Sequence, residues 1–297
     1  MNKADRKDVY TRVTEKIITD LKNGVRPWLK PWSVANGAER MGLPLRHNGV
    51  PYRGLNVLLL WSEGFDKGFS SSKWMTFKQA QELGGCVRKG ESGSLVVYAD
   101  TFTRTEENDK GEEVEQHIPF MKSYTVFNVE QVDGLPEDLY RKPEHKGEPM
   151  QLIEAAERFF GATGATIRHG GNRAFYAPGP DVIQLPYPET FKDAESYAAV
   201  KAHELTHWTR HKSRLDRNFG RKAWGDEGYS REELVAELGS AFLCVDLGIT
   251  PEARDDHSAY IAEWLKVLEN DKRAIFSAAA HAQRAVDYLH GLQGRLD

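Results

Sequence analysis

The segment Lys201–His207 carries side chains that could bind a metal ion and activate water. Its sequence, KAHELTH, contains the pattern H-E-x-x-H. On an α-helix, residues four apart lie on one face, so the imidazoles of His203 and His207 can bind the same zinc ion. Glu204 lies beside them, where its carboxylate can accept a proton from zinc-bound water. The pattern predicts a zinc metallopeptidase site with His203 and His207 as ligands and Glu204 as the catalytic base. A solvated helix that carries these residues by chance is the alternative.

A catalytic zinc site needs a third protein ligand, and the segment Tyr229–Leu247 offers two glutamates for this role. Glu233 and Glu237 are four residues apart and share one face of a predicted helix. We expect Glu233 to be the ligand and Glu237 to accept a hydrogen bond from a ligand histidine. The alternative is that Ser230 and Glu233 form a capping box, in which case Glu233 is structural and Glu237 is the ligand.

The two segments together resemble the gluzincin metallopeptidases, in particular the ImmA/IrrE-like and polyvalent-protein families. The resemblance rests on H-E-x-x-H at His203–His207, followed by the pattern E-x-x-x-E-x-G-S-A that begins at Glu233. It implies that Glu233 is a metal ligand and that the residue at position 237 supports the site without binding the metal. This chain has Glu237 where those families more often have Asn or Asp.

The elements around the predicted site are a capped helix and short strands that precede it. Asp193 or Ser196 could cap the helix that carries His203, because both side chains can accept backbone hydrogen bonds. We expect the strand Val182–Leu185 to form the edge of a substrate cleft, where an extended peptide could pair with it. Tyr176 could approach an oxyanion, but we expect it to pack in the core.

The composition indicates a soluble globular protein, with 40% apolar and 28% charged residues. A length of 297 residues predicts two domains. The two cysteines, Cys86 and Cys244, are consistent with a reducing compartment, and the polar N-terminus has no signal-peptide pattern. The longest apolar run, Leu55–Trp61, is too short to span a membrane. We therefore expect a cytoplasmic protein without a membrane partner.

The charge is distributed unevenly along the chain. Residues 1–98 carry 16 Lys and Arg against 9 Asp and Glu, a net charge of +7. The remaining residues carry 24 against 35, a net charge of −11. This asymmetry predicts an N-terminal part that meets a polyanion such as nucleic acid. Chance segregation of solvated surface charge is the alternative.

Aromatic and basic residues alternate in the segment Val25–Trp32. Two prolines exclude a helix there, and Trp28 and Trp32 alternate with Arg26 and Lys30. Bases could stack on the rings while phosphates meet the cations, as a single-stranded nucleic-acid site requires. The alternative is that both tryptophans pack in the core. The other predicted DNA-binding residues are Arg46, Tyr52, Arg53, Asn56, Trp74, Arg88 and Lys89.

The pattern along the chain predicts an α+β fold with two domains. Residues 1–135 should form an N-terminal domain with a small twisted sheet, residues 136–150 have the composition of a linker, and residues 151–297 should form the C-terminal domain. The elements predicted for the N-terminal domain are helices at 4–23, 55–62 and 76–83 and a hairpin over 102–127. Those predicted at the C-terminal end are structural helices at 258–268 and 277–289.

Nearly the full chain resembles the ArdC-type antirestriction proteins, which are also described as TraC-like. The motifs that carry the resemblance are YxRVTxxII from Tyr10, GVRPWLKPW from Gly24, PYRGLN from Pro51 and FNVEQ from Phe127. The resemblance implies an N-terminal single-stranded-DNA-binding domain joined to a C-terminal zincin-like metallopeptidase domain. It also implies a plasmid-encoded protein of the donor cell that helps incoming conjugative DNA escape host restriction, with transfer to the recipient alongside that DNA.

We therefore expect an antirestriction protein that binds single-stranded DNA and holds one zinc ion, or another divalent transition metal, per chain. The alternative is a DNA-associated zinc metallopeptidase that cleaves a regulatory or host protein and uses DNA binding only for targeting. A third hypothesis is that the metal only stabilises the fold. Glu204 argues against the third hypothesis, because a purely structural site has no use for a base.

Overall fold

A computed structural model describes residues 8–28, 42–107, 113–141, 149–220, 226–249 and 257–294. The helices are α1 (Val9–Lys22), α2 (Leu55–Lys67), α3 (Phe77–Glu82), α4 (Glu137–Tyr140), α5 (Pro149–Ala162), α6 (Ala194–Trp208), α7 (Glu227–Asp246), α8 (His257–Asn270) and α9 (Ala274–Gly291). The strands are β1 (Leu45–Arg46), β2 (Lys73–Thr76), β3 (Cys86–Val87), β4 (Ser94–Glu107), β5 (Glu113–Asn128), β6 (Val132–Asp133), β7 (Thr166–His169), β8 (Phe175–Ala177) and β9 (Val182–Leu185). The predicted two-domain α+β class is confirmed. None of the described helices is long and apolar enough to cross a membrane.

Local sequence signals begin and end the N-terminal helices. Asp8 caps α1 by accepting a hydrogen bond from the backbone N–H of Thr11. Thr76 and Gln79 form the capping box that begins α3, so the predicted cap is confirmed. Helix α2 continues past its predicted end and stops at Gly68, whose φ of 69° lies in the left-handed region.

The N-terminal sheet has the strand order β1–β2–β5–β4. Strands β4 and β5 form the predicted hairpin, with a register that runs from Ser94 opposite Val126 to Glu107 opposite Glu113. The hairpin is longer than predicted, and its tip, residues 108–112, lies outside the described residues. Strands β3 and β6 form a separate antiparallel pair.

The C-terminal sheet has the strand order β7–β9–β8, with β9 parallel to β7 and antiparallel to β8. The prediction that Val182–Leu185 forms the edge of a substrate cleft is therefore wrong. This segment is the central strand β9, and Val182, Ile183 and Leu185 are buried, as is typical of a strand with neighbours on both sides. Strand β8 occupies one edge of this sheet.

One hydrophobic core spans both predicted domains. Trp61 of α2 contacts Phe242 of α7 with ring centroids 5.9 Å apart. Lys22 of α1 forms an ion pair of 2.7 Å with Glu269 of α8. Part of the positive charge of the N-terminal region is therefore paired with acidic residues of the C-terminal helices and is not available to a binding partner.

The N-terminal region continues beyond residue 135. Helix α4 places Leu139 in a second, smaller core, together with residues such as Met75 and Val132. The hydroxyl of Tyr140 donates a hydrogen bond of 2.7 Å to the carbonyl oxygen of Val132. The first residues of the predicted linker thus belong to the folded N-terminal region, while residues 142–148 lie outside the described part of the chain.

Candidate metal centre and nucleic-acid interface

Helix α6 presents the H-E-x-x-H residues in its last two turns. Asp193 caps the helix by accepting a hydrogen bond of 2.7 Å from the backbone N–H of Ser196. His203, Glu204 and His207 are buried, and both imidazoles face carboxylates of α7. The two imidazole centroids lie 4.8 Å apart. The spacing of four residues therefore places both rings on one face, as predicted.

Glu233 of α7 faces both histidines. Its Oε2 atom lies 3.6 Å from Nε2 of His203, and its Oε1 atom lies 3.4 Å from Nε2 of His207. Zinc–ligand bonds of about 2.0–2.1 Å in tetrahedral geometry separate ligand atoms by roughly 3.4 Å. The three side chains are thus arranged so that one zinc-sized dication could be held by all of them.

Helix α7 begins before the residue that the capping-box alternative requires. Asp226 is the N-cap and accepts a hydrogen bond of 2.7 Å from the backbone N–H of Tyr229. Ser230 lies inside the helix, where its hydroxyl donates to Glu263 at 2.9 Å or to the backbone oxygen of Asp226 at 3.2 Å. The capping-box alternative for Ser230 and Glu233 is therefore wrong, and Glu233 is directed at the histidines.

The other imidazole nitrogens also face carboxylates. The Nδ1 atom of His203 lies 3.4 Å from Glu237, and the Nδ1 atom of His207 lies 3.1 Å from Glu232. A carboxylate at Nδ1 fixes the ring orientation and leaves Nε2 to face a metal. Glu237 thus lies beside Nδ1 of His203, and Glu232, which the sequence analysis does not predict, lies beside Nδ1 of His207.

Arg217 holds Glu232 in place. Its Nε and Nη2 atoms each donate a hydrogen bond of 2.8 Å to the carboxylate. Nη2 also donates to the backbone oxygen of Thr206 in α6. The sequence carries no signal for Arg217, because the residue lies in a segment without regular secondary structure. For Glu232, the only signal is its position next to Glu233 in helix α7.

The carboxylates create a negative potential at the imidazoles. Burial opposes protonation of His207, but the charges and hydrogen bonds of Glu233 and Glu232 raise its pKa to about 10. Burial also opposes ionisation of Glu232, yet Arg217 and His207 lower the pKa of this carboxyl to about 2. A site that favours positive charge this strongly also attracts a dication, since both respond to the same field.

Glu204 is buried beside the histidines with one oxygen unused. Its Oε2 atom accepts no hydrogen bond from any residue in the described part of the chain. A buried carboxylate oxygen without a partner is unfavourable in a purely structural role. A general base, by contrast, needs such an atom to accept a proton. The residues present therefore fit a metal site of the hydrolytic type.

Gly239 allows α7 to approach α6 closely at this site. A Cβ atom built on Gly239 would lie 2.5 Å from Cγ2 and 2.9 Å from Oγ1 of Thr206. Thr206 follows Glu204 by two residues and is fully buried. The short distance between the helices, which brings Glu233 to the histidines, thus depends on the missing side chain at position 239.

Tyr176 of strand β8 belongs to a structural network. Its hydroxyl donates to Asp181 at 2.8 Å and accepts from Arg214 at 3.2 Å. Burial and the hydrogen bond to Asp181 raise the pKa of the Tyr176 hydroxyl to about 12. Arg214 also stacks on Trp208, with Cζ 3.8 Å from the ring centroid. These contacts agree with the expected structural use of Tyr176.

Several of the predicted DNA-binding residues are buried. Trp28 and Trp74 are fully buried, and Tyr52 is 9% exposed. The prediction that these rings stack on bases is therefore corrected: their large apolar area is used in the core. The amide of Asn56 hydrogen-bonds both the N–H and the carbonyl of Val97 at 2.8 Å, so this side chain joins α2 to β4.

The predicted DNA-binding cations differ in their exposure and in whether they form ion pairs within the chain. Arg46 and Lys89 are exposed, whereas Arg26 is half-buried. Arg53 and Arg88 are exposed but form ion pairs within the chain; their partners are Asp287 for Arg53, and Glu91 and Asp133 for Arg88. The two remaining predicted residues, Lys30 and Trp32, lie outside the described residues.

Comparison with known proteins matches the N-terminal and the C-terminal region of the chain each to a described family. Residues 7–127 match the N-terminal domain of anti-restriction factor ArdC, and residues 154–281 match a zincin-like metallopeptidase family, MPTase-PolyVal. The metal-free crystal structure of the antirestriction protein ArdC from plasmid R388 is 46% identical to this chain and has a TM-score of 0.80. The similarity covers 96% of this chain and 98% of that chain. The chain belongs to the ArdC antirestriction family.

Other relatives of this ArdC-family chain agree with that assignment. The Mn(II)-bound structure of R388 ArdC is 43% identical, covers 98% of this chain and 100% of that chain, and has a TM-score of 0.78. The protein y4eC of Sinorhizobium fredii (strain NBRC 101917 / NGR234) is 40% identical over 96% of this chain and 92% of its own length. DNA primase TraC of Escherichia coli is 39% identical over 96% of this chain, which spans only 27% of TraC.

The ArdC-type N-terminal region carries an exposed aromatic surface that the sequence analysis does not predict. Tyr98 and Tyr124 are each 44% exposed, with ring centroids 6.3 Å apart. Phe120 lies 6.1 Å from Tyr98, and Nζ of Lys122 lies 5.0 Å from the Phe120 ring. We call these four residues the hairpin surface. The register of β4 with β5 brings them together, since Tyr98 lies opposite Lys122.

Proposed function

We propose that this protein binds single-stranded DNA and protects incoming conjugative plasmid DNA from host restriction, and that it carries a working metallopeptidase-type site. The convergence of His203, His207 and Glu233 around one point is the observation that carries the second part. Membership of the ArdC family supports the first part. The proposed place of action is the cytoplasm of the donor cell and, after transfer with plasmid DNA, that of the recipient.

The proposed ligands are His203, His207 and Glu233, which would hold one zinc ion or another divalent transition metal per chain. When bound, such a dication acts as a Lewis acid that polarises a carbonyl and acidifies water. Glu237 and Glu232 orient the imidazoles through Nδ1 and keep Nε2 directed at the ion. The ligand set of two histidines and one glutamate is one that catalytic zinc sites use.

Glu204 is the proposed general base of peptide hydrolysis. Its unused Oε2 atom would accept a proton from the attacking water and later deliver it to the leaving amine. A protein substrate would reach the site as an extended segment. Strand β8, which lies at an edge of its sheet and contacts α6, is the proposed strand for pairing with that segment.

The proposed single-stranded-DNA interface is the hairpin surface. Bases need exposed aromatic faces for stacking, and Tyr98 and Tyr124 supply them, whereas Trp28 and Trp74 do not. Lys122 supplies a cation within the same surface, and Arg46 and Lys89 are exposed cations of the same region for phosphate contact.

The alternative function is a DNA-associated metallopeptidase that cleaves a regulatory or host protein, with DNA binding only for targeting. The hydrophobic core shared by the two regions supports this alternative. Because of that core, DNA bound to the N-terminal region would hold the metal centre at a fixed position beside the DNA. In the favoured function, by contrast, coating of the DNA is sufficient for protection.

Protection of transferred plasmid DNA in a restricting host tests these functions. Wild type, Glu204→Gln and the double variant Tyr98→Ala/Tyr124→Ala would be compared, with zinc content and single-stranded-DNA affinity measured for each. We expect the double variant to keep zinc but lose DNA affinity and protection. Loss of protection in Glu204→Gln with intact DNA affinity would favour the metallopeptidase alternative. A wild-type protein that binds neither zinc nor single-stranded DNA would contradict the proposed function.

A further inference from the structure

Four aromatic rings run from the N-terminal segment to helix α7. Trp28 contacts Trp264 of α8 edge-on, with ring centroids 5.8 Å apart. Trp264 stacks on Tyr260 at 6.1 Å and an interplanar angle of 20°, and Tyr260 stacks on Tyr229 of α7 at 6.3 Å and 29°. We call this series the aromatic stack. It connects a residue of the ArdC-type N-terminal region to the helix that carries Glu233.

Tyr229 ends the stack one helical turn before Glu233. Residues four apart lie on the same face of α7, so the phenol is on the side of the metal centre. The Tyr229 hydroxyl lies 3.1 Å from the hydroxyl of Tyr260. The Tyr229 hydroxyl also forms a hydrogen bond with the Glu233 carboxylate. Tyr229 is thus a hydrogen-bond partner of the proposed ligand on the same face of α7.

Arg26 of the same N-terminal segment interacts by charge with a second carboxylate near the metal centre. Burial lowers the pKa of the Arg26 guanidinium, and the charge of Glu237 partly offsets this lowering, so the two side chains interact electrostatically. Glu237 is the carboxylate at Nδ1 of His203. Arg26 thus places a positive charge in the field of the carboxylate that faces Nδ1 of His203.

We propose that the N-terminal segment completes the metal centre: Tyr229 is a positioning residue for Glu233, and Trp28, through Trp264 and Tyr260, holds Tyr229 in place. This inference rests on the proposed metal ligands. It assigns a use to Trp28 that differs from base stacking, and it makes the zincin-like region dependent on the N-terminal region for full metal affinity.

The physical reason is preorganisation. The Glu233 carboxylate faces two imidazoles at once, and this restricts its conformations. A hydrogen bond from the fixed phenol of Tyr229 restricts its rotation further before the metal ion binds. The phenol is fixed in turn because its ring lies between α7 and α8, in a stack that Trp28 closes from the N-terminal side. A stack that served only core packing would contribute to stability but not to metal affinity.

Zinc dissociation constants of the full chain, obtained by competition with a chromogenic chelator, test the inference. We expect Tyr229→Phe to bind zinc about 10–100-fold more weakly than wild type, because the hydroxyl is lost while the ring is kept. The matched control is Tyr98→Phe, which removes an exposed phenol of the hairpin surface and should bind zinc within about twofold of wild type. The Co(II) absorption spectrum should shift in Tyr229→Phe and stay unchanged in the control.

The role of the N-terminal segment is tested with a second pair of variants. Trp28 and Trp61 are both fully buried tryptophans of the N-terminal region, but Trp61 contacts α7 through Phe242 rather than through the aromatic stack. We expect Trp28→Leu to weaken zinc binding at least fivefold more than Trp61→Leu at comparable loss of thermal stability. Zinc affinity of Tyr229→Phe within twofold of wild type would overturn the inference even if Trp28→Leu failed to fold. A wild-type chain that binds no zinc would instead overturn the proposed ligands.

Discussion

Arg217 donates two hydrogen bonds of 2.8 Å to the carboxylate of Glu232, and both side chains are almost completely buried. The pair lies outside the predicted ligand set, yet Glu232 is the residue that faces Nδ1 of His207.

Replacement of Arg217 by Met should lower the free energy of unfolding by about 3 kcal/mol, because it leaves the Glu232 carboxylate buried without its cation. Urea unfolding in the presence of EDTA measures this effect without a metal contribution. The control is Arg53→Met, which removes an exposed partner of Asp287 and should change stability by less than about 0.5 kcal/mol. Equal effects of the two substitutions would contradict the assignment of Arg217 as a buried support.

Replacement of Gly239 by Ala should destabilise the protein by about 1–3 kcal/mol, because the new methyl group would overlap Thr206. Thr206 is fully buried and its hydroxyl donates a hydrogen bond of 2.9 Å to the carbonyl oxygen of Ala202, so its movement away from a new methyl group is opposed. Gly161→Ala in α5 is the control, since a Cβ at that position would meet no atom within 4 Å from the described residues outside its own helical turn. Thermal unfolding of both variants is the measurement. The second substitution Thr206→Ser, which removes Cγ2, should recover part of the loss in Gly239→Ala.

Glu233→Ala and Glu237→Ala should differ in zinc affinity. Loss of Glu237 should weaken binding about 10–100-fold, because the residue only orients His203. Loss of Glu233 should weaken it far more, because a ligand is removed. Isothermal titration with zinc measures both, and Glu204→Gln should bind zinc as tightly as wild type. A weaker zinc affinity for Glu237→Ala than for Glu233→Ala would reverse the assignment of the third ligand.

Tyr98→Ala and Tyr124→Ala should each weaken single-stranded-DNA binding by about 1–3 kcal/mol, the typical contribution of a stacked base. Asp100→Asn should strengthen it, because Asp100 accepts a hydrogen bond from Tyr98 and places a negative charge beside the proposed phosphate path. Fluorescence anisotropy with a labelled oligonucleotide at several salt concentrations is the measurement. Affinity should fall steeply with salt. Unchanged affinity in the two tyrosine variants would exclude the hairpin surface.

The two cysteines should react with thiol reagents at very different rates. Burial raises the pKa of the Cys244 thiol to about 12, so very little of this thiol is ionised at pH 8. Cys86 is exposed. A colorimetric disulfide reagent at pH 8 should therefore titrate one thiol within minutes and the second only after unfolding. Cys86→Ser should remove the fast phase. A fast phase of two equivalents in the folded wild type would show that Cys244 is accessible.

Local sequence determined the elements and much of the metal centre. The spacing of His203 and His207 places both rings on one face of a helix, and this follows from helical geometry alone. The capping residues Asp193 and Thr76 and the hairpin of β4 and β5 could be predicted for the same reason: each depends on groups a few residues apart. The family could also be identified from motifs, since several ordered motifs extend over the chain.

Tertiary structure decided the properties that depend on distant residues. No local pattern distinguishes a tryptophan that stacks on DNA from one that is buried, and Trp28 became a core residue because α8 supplies Trp264 as its neighbour. Arg217 and Glu232 meet only when the segment after α6 folds back on α7. The strand Val182–Leu185 is central rather than at an edge because β8 pairs on one side of it and β7 on the other. Burial and strand order arise from the whole chain, so a short segment does not determine them.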